Sequence, residues 1–286
     1  MTLTCALLAL LVAAAAAVRS TWSPCGLSML STITPIAERA KGHRYAATCS
    51  WFVLGATVGG LTLGGLMAGL AAAVRAAGPT TVAVGAIGLA AALCVLASDT
   101  GIARARLPVH RRQVNERWLD AYRPWVYGTG FGFQIGTGVA TYITTTAVYL
   151  MVVLAALGGD PVVALAVGGA FGLLRGLAVT LTHRVTTPGG LLAFHQRFAA
   201  LRPRADRAVL ASVVVAAAVL AVVAGPVPTA VVTATAAVGT SAVRVAVRSV
   251  RRPGTAGASA VVATEASTTG GSDPSSPGRD RSVAVH

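Results

Sequence analysis

The chain has 286 residues, of which 55% are hydrophobic and only 11% charged, with a formal net charge of +14. Apolar runs long enough to cross about 30 Å of hydrocarbon recur along it, which excludes a soluble domain and predicts a multi-pass protein of the cell membrane in contact with lipid. The positive charge does not mark a nucleic-acid binder, because it is confined to the loops between the apolar runs.

The first apolar stretch, residues 3–36, has no Lys or Arg ahead of it and continues past Arg19 to Pro35, so it is expected to be a retained helix rather than a cleaved leader. Further spans are predicted over 46–74, 80–99, 126–155, 162–182 and 208–249. The last is too long for one helix and is cut at Gly225-Pro226-Val227-Pro228, because proline cannot donate to the helix ladder and disfavours helix in the residue before it. Six or seven spans result, and seven is the favoured count. Three loops are basic, holding Arg39, Lys41 and Arg44, then Arg104, Arg106, Arg111, Arg112, Arg117 and Arg123, then Arg184, Arg197, Arg202, Arg204 and Arg207. The positive-inside bias places these in the cytoplasm and the N-terminus outside, and a seventh span returns Arg244, Arg248, Arg251 and Arg252 to the cytoplasm. Residues 1–250 form the transmembrane domain. Residues 251–286, rich in Gly, Ser, Thr and Pro, are expected to be a disordered cytoplasmic tail.

The expected fold class is therefore an all-α polytopic transmembrane helix bundle. Small-xxx-small pairs at Gly55/Gly59, Gly60/Gly64 and Gly65/Gly69 predict close helix packing, as do Gly128/Gly132/Gly136 and Gly168/Gly172/Gly176. In the fourth span Gln134, Thr137, Thr141, Thr145 and Tyr149 recur at helical spacing, a hydroxyl-rich face that either bonds between helices or lines a substrate path opposite Ser28, Ser31, Thr32 and Thr34. Arg175 is the strongly charged residue well inside a span. Such a residue is an anion or substrate contact, a partner for Asp99 or Glu38, or a side chain that snorkels to the interface.

Ser23-Pro24-Cys25-Gly26 sets a cysteine directly after a helix-breaking proline in the middle of an apolar segment. This resembles the first-helix signature of the cytochrome c biogenesis transmembrane family, the CcdA/DsbD type, as do the glycine-rich second helix and the Gly128-Thr129-Gly130-Phe131-Gly132 opening of the fourth. The resemblance implies inverted three-helix repeats, Cys25 as an embedded redox thiol, Pro24 as the helix break, and a thioredoxin-like partner. A shift of 112 positions lays Gly26 on Gly138, Thr32 on Thr144 and Thr34 on Thr146, but Cys25 on Thr137 and Pro24 on Gly136. The family's second redox cysteine is thus absent, and one thiol alone forms a mixed disulfide without holding two electrons internally. A small-solute or anion transporter of LysE or TauE type, with Thr137, Thr141, Thr145 and Arg175 along the path, is the alternative, and a non-catalytic assembly protein a third. No cofactor is implied, and the five histidines lack metal-ligand spacing.

Overall fold

The computed structural model describes residues 2–101, 123–138 and 145–237, all within a compact unit, Met1–Arg244. The central basic loop at Arg104–Arg117, the returning arginines beyond Thr240 and the expected tail at 251–286 lie outside the described residues. Among the described residues all regular structure is helical.

The first span is α1 (Thr2–Ser20), followed by the short α2 (Pro24–Thr32) and α3 (Pro35–Ala40). The second is α4 (Tyr45–Ala77) and the third α5 (Thr81–Asp99). The fourth is split into α6 (Pro124–Gly136) and α7 (Ala147–Leu157). The fifth is α8 (Pro161–Leu177), drawn out into a 3-10 turn over Ala178–Thr182, and the sixth is α9 (Pro188–Ala224). A further apolar helix, α10 (Pro226–Ala237), then begins. Prolines stand at the first turn of α2, α3, α6, α8 and α9, where the missing N–H is not needed, and Ser23, Thr34, Thr80, Asp160 and Thr187 cap helix starts with their side-chain oxygens. The expected cut after the sixth span falls at Gly225, whose φ of 82° ends α9.

Among the described residues five helices are long and apolar enough to cross a membrane by themselves, namely α1, α4, α5, α8 with its 3-10 extension, and α9. Leu54, Val58, Leu66, Val214 and Val215 point outward with 44–62% of their surface exposed, as helices facing hydrocarbon require. The helices alternate in direction. One end of the bundle gathers Thr2, Pro79, Leu157 and Asp160. The opposite end gathers Arg19, Asp99 and Asp206, and we refer to it as the basic end.

At the centre α4 lies between α6 and α8. The backbones touch because the contacts are glycine on both sides. A Cβ on Gly132 would overlap Phe52 carbonyl oxygen and stand 3.0 Å from Ala56 nitrogen, and one on Gly172 would lie 2.7 Å from Gly60 Cα. Gly55 and Gly59 meet α6, and Gly60 and Gly64 meet α8, so two of the three predicted pairs on the second span are helix contacts. Gly65 and Gly69 have nothing within 4 Å of an added Cβ and are not.

Two expectations are corrected. The third basic loop is not a loop, because residues 188–207 are the first half of α9, an amphipathic turn sequence with Arg197, Arg202 and Arg204 outward and Phe198 inward. The fourth span is not one helix, because it is interrupted between Gly136 and Ala147. The two corresponding pieces α3 and α7 start at Pro35 and Ala147, and 147 − 35 = 112, the same offset as in the sequence comparison. Each follows a threonine, Thr34 or Thr146.

Candidate functional site

The first break is built around Ser23. Its Oγ, fully buried, accepts the Gly26 N–H at 3.0 Å and closes the start of α2. Pro24 takes the first helical position, and Cys25 therefore sits in the first turn, 3% exposed. Gly26 is required there, because a Cβ would strike the Thr21 backbone, 2.9 Å from its Cα. The second break turns at Gly138, whose φ of 67° suits glycine and whose added Cβ would lie 2.7 Å from the Phe171 ring and 3.5 Å from Arg175 Nη1.

Arg175 thus stands against the second break. It is 4% exposed, and its guanidinium carbon lies 5.5 Å from the Phe171 ring centre. Its side chain is buried among the helices rather than laid along their surface. No carboxylate among the described residues is paired with it. The two suggested partners are bound elsewhere, Asp99 at the fourth span and Glu38 at the second.

Asp99, the last residue of α5, accepts Thr145 Oγ1 at 2.8 Å, Thr146 Oγ1 at 2.7 Å and Thr146 N–H at 3.1 Å. It thereby holds the start of α7 from a different span. Of the residues expected along a path, Thr145 is in this cap, and Thr137 ends α6 with its hydroxyl donated to the Gln134 carbonyl at 2.8 Å. Thr141 lies outside the described residues. The hydroxyl-rich face expected over 134–149 does not form as one face, since its spacing presumes an unbroken helix. Thr145→Val, which removes one of three donors from a carboxylate, is expected to lower stability by about 1.5 kcal/mol, measurable as a fall in the thermal midpoint.

A third polar centre forms around Glu38, which the sequence offered only as a partner for Arg175. Glu38 is completely buried. Tyr127 OH donates to both its oxygens, at 2.8 and 2.9 Å, and Thr48 Oγ1 donates to Oε2. His43 Nδ1 stands 3.8 Å from Oε2. The group ties α3 to α4 and α6. A lone acid between two apolar runs was its one signal in the sequence.

Cys25, Cys5 and Cys49 are buried and Cys94 is exposed, and none of the four forms a disulfide among the described residues. No group of three or more metal-ligating side chains occurs among the described residues. The 3-10 extension of α8 packs onto the first break through Thr182, whose hydroxyl donates to the Ile33 carbonyl at 3.0 Å. The start of α9 does so through Phe198, which stacks on Trp22 at 4.2 Å and accepts its Nε1–H at 2.9 Å.

No family model matches the chain, and no solved structure does. Curated relatives do. The chain is 32% identical to the methylamine utilization protein MauF of Paracoccus denitrificans over 223 residues, 74% of this chain and 76% of that one. It is 31% identical to MauF of Paracoccus versutus over 218 residues, 74% and 77% of the two chains. With MauF of Methylophilus methylotrophus it shares 33% over 165 residues, 57% of each.

Proposed function

Because this multi-pass membrane chain belongs to the MauF family of methylamine utilization proteins, we propose that it serves methylamine utilization as a thiol-exchange protein centred on Cys25. One observation carries the reading. Cys25 is buried in the first turn of a helix that starts after a break, and thiols that take part in exchange are set at helix N-termini. The relatives found are methylamine utilization proteins rather than cytochrome c biogenesis proteins, so the likeness in the Pro24-Cys25 motif supports the chemistry and not that family.

With one thiol at the break, the exchange runs through mixed disulfides. Cys25 sulfur attacks the disulfide of a thioredoxin-like acceptor, forming a Cys25–acceptor bond while the other acceptor sulfur leaves as a thiolate and is protonated. A thiolate of a donor dithiol then attacks Cys25 sulfur and releases the reduced acceptor. The donor's second thiol displaces Cys25, leaving a donor disulfide. Two electrons pass from donor to acceptor, and Cys25 is regenerated. The first break positions the sulfur. The basic end faces the cytoplasm and the N-terminus lies outside, as the arginine distribution indicates.

The test is acid-quenched trapping in cells growing on methylamine, with Cys5, Cys49 and Cys94 replaced by serine. A disulfide-linked adduct that disappears on reduction and in Cys25→Ser is expected, together with loss of methylamine-dependent growth in Cys25→Ser. Full growth of Cys25→Ser overturns the mechanism. The absence of a carboxylate partner for Arg175 among the described residues favours a second reading, passage of a small anion past that residue. It requires the reverse pattern, in which Arg175→Gln loses growth and Cys25→Ser keeps it.

A further inference from the structure

We propose that His43 is a proton-operated latch, which when charged clamps α3 to the bundle by pairing with the buried carboxylate of Glu38. Glu38 is completely buried and accepts Tyr127 OH and Thr48 Oγ1, both neutral donors. Hydroxyls satisfy its lone pairs but leave its charge uncompensated, and a buried charge without an opposite one is costly. Among the described residues the imidazole of His43, at 3.8 Å, is the one cationic or cationisable side chain in ion-pair range of Glu38.

The ring meets the carboxylate on one side and water on the other. Nδ1 faces Glu38 Oε2, is shut off from solvent and has no hydrogen-bond partner among the described residues. The side chain as a whole is 30% exposed, so the rest of the ring exchanges protons with water. The backbone fixes its place, because the His43 N–H donates to the Glu38 carbonyl at 2.8 Å. A neutral ring turns to the carboxylate either a lone pair or an uncharged N–H that stands too far off for a hydrogen bond. A charged ring always carries a proton on Nδ1, and a movement of about 1 Å completes a charge-assisted bond. The other charged and titratable groups nearby do not take its place. Arg39, Lys41, Arg44 and Arg123 are exposed, and Lys41 Nζ lies over the Tyr127 ring, 5.8 Å from its centre. Tyr127 and Cys49 share the apolar cluster beside Glu38, and neither supplies a positive charge. Histidine takes up its charge as the pH falls through about 8 to 5, so the latch is tightest on the acid side and released as the pH rises.

Thermal unfolding of the full chain in phospholipid nanodiscs at pH 6 and pH 8 tests the latch, with His43→Gln as the baseline. On going from pH 6 to pH 8 the parent is expected to lose about 2–4 °C more of its midpoint than His43→Gln does. Glu38→Gln, which removes the carboxylate, should cancel that excess, whereas Lys41→Gln should keep it. Deuterium exchange over residues 34–40 should show the parent better protected than His43→Gln at pH 6 and equal to it at pH 8. A parent whose pH dependence matches that of His43→Gln, an excess that survives Glu38→Gln, or one abolished by Lys41→Gln overturns the proposal. Should Glu38→Gln fail to fold, the contrast with His43→Gln and the exchange over residues 34–40 still decide.

Discussion

Gly172→Leu is expected to abolish the folded bundle. A Cβ at this position would overlap Ala56 carbonyl oxygen and lie 2.7 Å from Gly60 Cα and 2.9 Å from Gly60 nitrogen, and all three are backbone atoms of α4 that cannot rotate away. Leucine therefore forces α4 and α8 apart along their whole glycine seam. Overpacking in a well-packed interior costs about 1–3 kcal/mol. Here the penalty is larger in kind, because helices in a membrane associate through the very van der Waals contacts that the substitution removes. Size-exclusion chromatography after detergent extraction should show loss of the monodisperse species. Gly65→Leu is the matched control, since nothing lies within 4 Å of a Cβ there and the position faces outward. It should extract and melt like the parent. A folded Gly172→Leu would mean that the seam does not hold these helices together.

The second large effect is expected at Glu38. Its carboxylate is fully buried and depends on Tyr127 and Thr48 for its hydrogen bonds. Tyr127→Phe strips the phenol from both oxygens, and a hydrogen bond to a charged group contributes about 1.5–3 kcal/mol. Glu38→Gln keeps an acceptor for Tyr127 and removes the charge, so its loss should be smaller. Combined, Tyr127→Phe and Glu38→Gln should cost clearly less than the sum of the two, because removing the charge also removes the reason the phenol was needed. Thermal unfolding of the four proteins gives the coupling directly. Strict additivity would show that Tyr127 and Glu38 do not act as a pair.

What the sequence revealed follows from the range of the interactions involved. Apolar length and proline position are local quantities, so the spans, the turn at Gly225 and the break at Pro24 were legible. Glycine spacing was legible as a pattern, but not which pairs face a helix and which face outward, since Gly65 looks like Gly60 until α8 is in place. The helix over Pro188–Arg207 was read as loop because arginines and Pro203 dominate it, although Phe194 and Phe198 already stand one helical turn apart. The break in the fourth span carries no proline. Its causes are Gly138 and the threonines held by Asp99, which is 46 residues away from Thr145. The partner of Glu38 was not legible for the same reason, since Tyr127 is 89 residues distant. The approach of Arg175 to Gly138 also arises in three dimensions, and no spacing rule joins them.

The length of α9 has a mechanical meaning. Thirty-seven residues in one helix reach about 56 Å, nearly twice the hydrocarbon thickness, so its first half extends as an arm beyond the last span. That arm is fastened at Phe198 to Trp22, three residues before the thiol. Pro203 stands between that fastening and the apolar half, and a proline inside a helix removes a rung of its hydrogen-bond ladder, so the helix is weakest between the arm and the span.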